Sequence, residues 1–224
     1  AQDPCLVMKA CKNKTELQGA INAGIQDSKA LMNFFHWLDK ELSKTTLTEL
    51  DLVDKLLQFR KKQKNFISPS FASIVGFKEN SSIIHYLPKE SSNKPIKNNG
   101  ILLIDSGGHY SDGTTDITRT IAIGKPTAEQ IHNFTLVLKS HINLITAIFP
   151  EGTHGGQLDV LARINLWHEG KDYEHGTGHG VGSVLAVHEG PQNIGKKFAS
   201  APLQENMIVS IEPGFYKPKH YGIR

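Results

Sequence analysis

The sequence predicts an α+β fold, in which a small antiparallel sheet is packed against helices. Residues 101–124, ILLIDSGGHYSDGTTDITRTIAIG, combine a continuous apolar run with a second, alternating run, which is the pattern of two paired strands. Two longer stretches, residues 14–42 and 127–148, place apolar side chains at helical spacing. Strands in the centre with helices before and after them indicate this fold class.

Composition narrows the class of protein. The 224 residues suffice for one large domain or two small ones, and the contents of 38% hydrophobic and 21% charged residues suit a soluble globular protein without a membrane span. The net charge of +3 comes from scattered residues, and the one basic cluster, residues 60–64, ends a predicted helix, so we expect no nucleic-acid role. Two cysteines, Cys5 and Cys11, make no disulfide framework and favour the cytoplasm.

The first part of the chain predicts a linker and two helices. Residues 1–12 look like a linker into the domain, and the second helix is expected to start at Thr48, where Asp51 completes a start like a capping box. The first helix is expected over residues 14–42. Its apolar residues are expected to pack in the core: Leu17, Ile21, Ile25, Leu31, Phe34, Phe35 and Leu38.

The segments that follow alternate between short strands and a loop. Two strands are expected at residues 71–76 and 82–86, and the polar residues 87–100 predict an exposed loop or a weak domain boundary. The apolar run 101–104 ends at Asp105, and we expect a tight turn at Gly107 and Gly108 to follow it.

Asp116 opens the second strand of this hairpin, so two carboxylates lie at the edge of one apolar sheet. Buried carboxylates need cationic partners, because an unpaired charge is costly away from water. From this stretch alone, a role for Asp105 and Asp116 as turn residues that accept from backbone donors is equally consistent.

The second half predicts two helices and a strand. Thr127 and Gln130 form a capping box for a helix to about residue 148, and a further helix is expected over residues 155–168. A glycine-rich segment, residues 175–182, comes next. The run 207–212, MIVSIE, predicts a buried strand that ends at a carboxylate.

Three features add possible ligands to the two aspartates. They are the segment EHGTGHGVG with His175 and His179, the segment VHEGP with His188, and Glu212 at the end of the predicted strand. Carboxylates with an imidazole suit paired Mn²⁺, Co²⁺, Fe²⁺ or Zn²⁺ ions, which can share a carboxylate and activate water for attack on a carbonyl. An ordinary core or surface role is the alternative for each histidine; the glycine-rich setting of His175 and His179 makes it the weaker interpretation there, as it is for His188, and for His85, in IIHY, the two interpretations are balanced.

Two other site classes are not supported by the motifs. Ser106 and Ser183 do not lie in the G-x-S-x-G pattern of a nucleophile elbow. The glycine-rich residues 175–182 are not followed by the Gly-Lys-Ser/Thr of a phosphate-binding loop.

Taken together, the segments DSGGHYSDGTTDITRT, HGTGHGVG, VHEGP, IEPGFY and the final GIR resemble the catalytic domain of the Xaa-Pro aminopeptidase (aminopeptidase P) family. This family belongs to the pita-bread metallopeptidases, with prolidase, methionine aminopeptidase and creatinase. The resemblance implies the pita-bread fold, a curved antiparallel sheet flanked by helices. It also implies release of the N-terminal residue from peptides with proline in second position, and two divalent metal ions, Mn²⁺ first and Zn²⁺ or Co²⁺ as alternatives.

The resemblance assigns metal ligands position by position. Asp105 would bind one ion and Asp116 would bridge both, while His179 would bind one ion through its imidazole. Glu212 would be a ligand and also the general base. The family motif continues GIR-x-E, and the chain ends at Arg224, so the resemblance implies that a fifth ligand is absent.

The remaining assignments concern the substrate. His85 and His188 would contact the substrate and the developing oxyanion, His175 would line the same pocket, and Arg224 would support the site. The expected partner is a peptide with an Xaa-Pro N-terminus, and a homodimer is a family expectation.

The resemblance also bears on the extent of the domain. Residues 13–224 are expected to be a catalytic domain that is truncated at its C-terminus and lacks the family's N-terminal domains, with weak or no activity alone. Two alternatives stay open, a prolidase- or creatinase-like hydrolase and a catalytically impaired binding module of the same fold.

Overall fold

A computed structural model describes residues 3–197 and 201–224 and mixes helices and strands as the sequence predicts. The helices are α1 (Pro4–Ala10), α2 (Lys14–Glu41), α3 (Glu49–Lys61), α4 (Ala128–Ile145) and α5 (Gly155–Trp167). The strands are β1 (Phe66–Pro69), β2 (Ile74–Phe77), β3 (Gly100–Ser106), β4 (Gly108–Tyr110), β5 (Gly113–Thr114), β6 (Ile117–Ile123), β7 (Gly178–His179), β8 (Asn193–Ile194), β9 (Phe215–Lys217) and β10 (Tyr221–Ile223). The pairings between these strands are all antiparallel.

The stretch expected as a linker carries helix α1, which begins where Asp3 accepts a hydrogen bond from the backbone of Cys5. Residues 1 and 2 of that stretch lie outside the described residues. A proline in the first turn is compatible with a helix start, because the backbone N–H that proline lacks would have no partner within the helix there.

Helix α2 confirms the first predicted helix, but two of its expected core residues are exposed. Ile21 is 56% and Ile25 is 49% exposed, while Ala23 is fully buried. The reason is a close approach between α2 and β5. A Cβ on Gly19 would lie 2.0 Å from the carbonyl oxygen of Asp112, so only small residues fit on the inward face of the first half of α2, where the isoleucines lie on the other face.

Helix α3 confirms the second predicted helix, with the capping box of Thr48 and Asp51 in place. Together with α2 it covers the central sheet, whose strand order is β2-β3-β6. The buried apolar side chains at this interface form the main core: Leu31, Phe34, Leu38, Leu47, Leu52, Leu56, Val75, Phe77, Ile96, Leu102 and Ile104.

Strands β3 and β6 pair as the sequence predicts, but the tight turn at Gly107 and Gly108 is wrong. The chain continues from β3 into β4, and β4 with β5 forms a separate hairpin that also pairs with β1. A Cβ on Gly107 would lie 2.0 Å from the carbonyl oxygen of Thr115. Glycine is therefore needed at this position because the segment that carries Thr115 packs closely against it, and not because the chain turns back there.

The predicted strand over residues 82–86 is also wrong. Residues Lys78–Ser82 form a 3₁₀ helix, and a turn with His85 follows. The cause is the buried carboxylate of Glu49, which accepts from the backbone of Phe77, the amide of Asn80 and the hydroxyl of Tyr86. The segment wraps around this acid and cannot extend.

The second half confirms both predicted helices. Thr127 caps α4, which ends at Ile145, about three residues before the expected end. The predicted strand over residues 207–212 is wrong, because this half-buried segment forms isolated bridges, at Met207 and Val209. Its backbone is held instead by hydrogen bonds to the glycine-rich segment, such as that from Ser210 to His179 at 2.9 Å.

Candidate metal centre

The eight residues singled out in the sequence line one cavity of about 590 Å³. They come from separate parts of the chain: His85, Asp105, Asp116, His175, His179, His188, Glu212 and Arg224. The structure therefore brings together every candidate site residue that the sequence named.

Three elements position the carboxylates. Asp105 lies near the end of β3, and its cross-strand partner in β6 is Thr118, two residues after Asp116. The antiparallel register therefore places both aspartates at the same end of the central sheet. Glu212 is brought to them by its own backbone nitrogen, which donates to the carbonyl of Thr177 at 2.6 Å, next to β7.

The imidazole of His179 lies between two carboxylates. Its Nε2 is 3.2 Å from Oδ2 of Asp116 and 3.0 Å from Oε1 of Glu212, and its Nδ1 faces the carbonyl of Gly180 at 3.0 Å. Burial alone would lower the pKa of His179, but the hydrogen bonds to the two carboxylates outweigh burial and raise it to about 10. In the protein without metal, an imidazolium is the cation between Asp116 and Glu212.

Glu212 shows the complementary effect. Burial would raise the pKa of its carboxyl, but hydrogen bonds from His179 and from the hydroxyl of Ser210, 2.6 Å away, lower that pKa to about 2. Glu212 is therefore a charged acceptor throughout the neutral range.

Asp105 has a different environment. Its Oδ2 accepts a hydrogen bond from Nη2 of Arg224, while its buried Oδ1 has no hydrogen-bond partner within the described residues. Burial raises the pKa of Asp105 above its ordinary value, although Arg224 acts in the opposite direction. An oxygen that is buried and without a donor is costly unless a ligand contacts it.

A chain of hydrogen bonds connects Arg224 to a further histidine. Nη1 of Arg224 donates to the hydroxyl of Tyr216 at 2.8 Å, and that hydroxyl lies 2.9 Å from Nε2 of His175. Because Nδ1 of His175 faces the carbonyl of Gly176 at 2.8 Å, Nδ1 carries the proton and Nε2 accepts from Tyr216. Burial lowers the pKa of His175, which keeps the ring neutral.

The other two histidines form the wall of the cavity. The exposed ring of His188 meets that of His179 edge to face, with 4.1 Å between centroids. Burial and the neighbouring His179 lower the pKa of His188. His85 reaches the cavity from the turn that replaces the predicted strand.

The side chains present fit divalent metal ions. Nε2 of His179 lies 3.2 Å from Asp116 and 3.0 Å from Glu212, and the free oxygen of Asp105 lines the same cavity. A ligand atom of His188 also lies within 4.8 Å of those of Asp116 and His179. Carboxylate oxygens with an imidazole nitrogen are suitable donors for Mn²⁺, Co²⁺ or Zn²⁺.

Two residues that hydrogen-bond to the candidate site were assigned no role in the sequence analysis. Tyr216 lies within the segment IEPGFY and joins His175 to Arg224, and Ser210 lies two residues before Glu212 and donates to it. The alternation along residues 207–212 places Ser210 and Glu212 on the same side, and this was the signal available.

A family model described as metallopeptidase family M24 matches residues 19–224. Aminopeptidase P2 of Arabidopsis thaliana is 48% identical over 225 residues, which cover 100% of this chain and 32% of that protein. The chain thus spans about a third of the length of the curated relatives that it matches first.

Solved structures that resemble this chain are also peptidases related to the aminopeptidases. X-prolyl aminopeptidase of Caenorhabditis elegans, described as a cytosolic enzyme with a di-nuclear active site, superposes with a TM-score of 0.96 at 46% identity, covering 100% of this chain and 37% of that one. Prolidase of Pyrococcus furiosus superposes with a TM-score of 0.85 at 28% identity, covering 98% and 62%. The pita-bread fold expected from the sequence is confirmed. None of the helices in the described part of the chain has the length and apolar character needed to cross a membrane.

Proposed function

Since the chain belongs to metallopeptidase family M24, we propose that it forms the catalytic domain of a metal-dependent aminopeptidase that releases the N-terminal residue before proline. The observation that carries this proposal is the contact of His179 with both Asp116 and Glu212, in a cavity that three more histidines line. Hydrolysis of an amide by a metallopeptidase needs both features, a set of ligands and a set of hydrogen-bond donors around the carbonyl.

Four side chains would hold two divalent metal ions: Asp105, Asp116, His179 and Glu212. When bound, two such ions supply Lewis acidity, which polarises a carbonyl and makes water acidic enough to ionise near neutral pH. The di-nuclear active site described for the Caenorhabditis elegans protein supports two ions, and the donor set supports Mn²⁺, with Zn²⁺ or Co²⁺ as alternatives.

Side chains of this chain would accept and donate the protons of the reaction. Glu212 would be a metal ligand and would also accept a proton from the attacking water. The neutral ring of His188, whose pKa is lowered, retains an N–H that can donate to the carbonyl oxygen or to the leaving nitrogen, while the ring of His175 lines the pocket. Arg224 neutralises Asp105 and, through Tyr216, fixes the ring of His175.

The preference for proline is supported by the relatives. The leaving nitrogen of an Xaa-Pro bond carries no hydrogen, so a site that depended on a donated N–H could not bind it. Identity with the aminopeptidases is 48% and 46%, against 28% with the prolidase, which favours longer peptides over Xaa-Pro dipeptides. A location in the cytoplasm is supported by the free thiols of Cys5 and Cys11 and by the cytosolic relative.

Three peptides test this function on the full-length protein loaded with Mn²⁺, since this chain spans about a third of the length of the relatives that it matches. We expect release of free alanine from Ala-Pro-Ala, no cleavage of Ala-Ala-Ala, and loss of activity in excess EDTA. Cleavage of Ala-Pro in preference to Ala-Pro-Ala would instead indicate a prolidase. If the folded, metal-loaded protein cleaves none of the three, it is the binding module.

A further inference from the structure

Helix α5 carries a buried arginine that none of the proposed chemistry uses. The side chain of Arg163 has an exposed fraction of 0% and lies against the ring of Tyr173, with 3.8 Å from its Cζ to the ring centroid. Its Nε donates to Asp159 at 2.7 Å, one turn earlier in the same helix. A full positive charge is thus placed under the glycine-rich segment that carries His175 and His179.

The same guanidinium holds the backbone of that segment. Nη1 donates to Asp172 at 2.7 Å and to the carbonyl of Tyr173 at 2.6 Å, and Nη2 donates to the carbonyl of His175 at 3.0 Å. Hydrogen bonds from a charged donor are about twice as strong as neutral ones, and the guanidinium is planar and rigid. Two carbonyls at fixed positions leave the chain between them little freedom.

Asp159 extends this contact to the next part of the segment. Its Oδ1 accepts from the hydroxyl of Thr177, which also lies 2.5 Å from the hydroxyl of Tyr173. The carbonyl of Thr177 accepts the backbone N–H of Glu212 at 2.6 Å, and His179 follows two residues later. One buried network therefore reaches the backbone of both segments that carry proposed ligands.

We propose that Arg163 is the positioning residue of the metal centre. With Asp159 and Thr177 it fixes residues 173–177, and through them it sets the distance between His179 and Glu212. The inference rests on the metal site proposed above. It assigns Arg163 no contact with metal or substrate, since its donors face Asp159, Asp172 and two carbonyls.

A second buried network supplies the control. Arg60 pairs with Asp27 at 2.6 Å, and the hydroxyl of Tyr110 donates to Asp27 at 2.9 Å. This network has the same chemistry and a similar burial, but it joins α2, α3 and β4, and its members do not line the cavity of the metal centre. Loss of its tyrosine hydroxyl removes one buried hydrogen bond without touching the ligand segments.

The test compares Thr177→Val with Tyr110→Phe by calorimetric titration with Mn²⁺, well below the temperature at which either variant unfolds. We expect Thr177→Val to weaken Mn²⁺ binding by about tenfold or more, as loss of an outer support of a metal site does. Tyr110→Phe is expected to lower stability toward urea while it leaves the dissociation constant unchanged. Thr177→Ser, which restores the hydroxyl, is expected to restore the affinity.

The measured Mn²⁺ affinities of the variants and of the wild-type protein lead to different conclusions. If Thr177→Val binds Mn²⁺ as the wild-type protein does, the network is structural only and the inference is overturned. If Thr177→Val and Tyr110→Phe lose Mn²⁺ affinity equally, the loss reflects a general decrease in stability, and the inference is again overturned. If the wild-type protein itself binds no Mn²⁺, the proposed metal site fails, and this inference fails with it. Arg163→Lys, where it folds, is expected to behave as Thr177→Val does.

Discussion

The guanidinium of Arg224 donates a hydrogen bond to the carboxylate of Asp105, 119 residues earlier in the chain. The exposed fractions of the two side chains are 3% and 9%, so water can stabilise neither charge if the other is removed. Removal of one partner from a buried ion pair leaves an uncompensated charge, whereas removal of both leaves none.

We therefore expect Arg224→Gln to lower the free energy of unfolding of the metal-free protein by about 3 kcal/mol. Asp105→Asn combined with Arg224→Gln is expected to be more stable than Arg224→Gln alone, because the unpaired carboxylate is gone. Urea unfolding of the wild-type protein, both single variants and the double variant gives the coupling between them. Strictly additive losses would show that the pair does not act as a unit.

His179, a proposed metal ligand, and the neighbouring His188 are expected to respond differently to substitution. His179→Gln is expected to weaken Mn²⁺ binding by at least about tenfold, since it removes the ring that lies between Asp116 and Glu212. His188→Gln is expected to leave the affinity within a factor of about two and to reduce turnover instead, because it removes a donor near the substrate.

Calorimetric titration measures both dissociation constants, and the exposed His36, on helix α2, provides a control in His36→Gln. A large loss of Mn²⁺ affinity in His188→Gln would place His188 among the ligands and change its assignment.

Close contact at Gly178 predicts an effect on stability. A Cβ there would lie 2.0 Å from the carbonyl oxygen of Ser210, which is backbone and cannot move aside without displacing Glu212. Gly178→Ala is expected to cost about 1–3 kcal/mol, as overpacking does, and to weaken metal binding as well.

Gly24, inside helix α2, is the matched control, because a Cβ there would meet nothing within 4 Å. Gly24→Ala is expected to stabilise the protein by up to about 1 kcal/mol. Thermal or urea unfolding of the two variants tests the contrast, and equal effects in both would contradict it.

Asp172 predicts a dependence of stability on pH. Burial would raise the pKa of its carboxyl, but hydrogen bonds from Lys196 and Arg163 lower that pKa to about 2. A group whose folded pKa is depressed stabilises the protein above its unfolded pKa, about 3.9 for aspartate, and loses this effect as the pH falls through the folded value.

Asp172→Asn is therefore expected to lower the free energy of unfolding at pH 6 by on the order of 1 kcal/mol, a small value because a third of the side chain is solvated. At pH 2 to 3 the difference from the wild-type protein should shrink. Urea titrations at both pH values measure it, and a difference that grows toward low pH would reverse the assigned sign.

The sequence predicted the helices better than the strands. Capping boxes at Thr48 and Thr127 and helical spacing are local signals, and α3 and α4 begin where these signals place them. The strand expected at residues 82–86 failed because Glu49, more than 30 residues earlier, draws that segment around its carboxylate. The apolar residues of IIHY give no sign of such a distant partner.

Motifs in the sequence identified the residues of the candidate site, but they did not identify Arg163, which holds the segment that carries two of them. All eight candidates line one cavity, and the family resemblance had named each of them. Arg163 was missed because an arginine in a helix is ordinarily solvated. Its spacing of four residues from Asp159, in a helix of otherwise mostly apolar character, was the available signal.

Asp116, Glu212 and Arg224 line the cavity of the proposed metal centre and also a second one, of about 620 Å³, between α4 and β6. A substitution at any one of these three positions would therefore change the lining of both spaces at once, and its effects on the two would be inseparable.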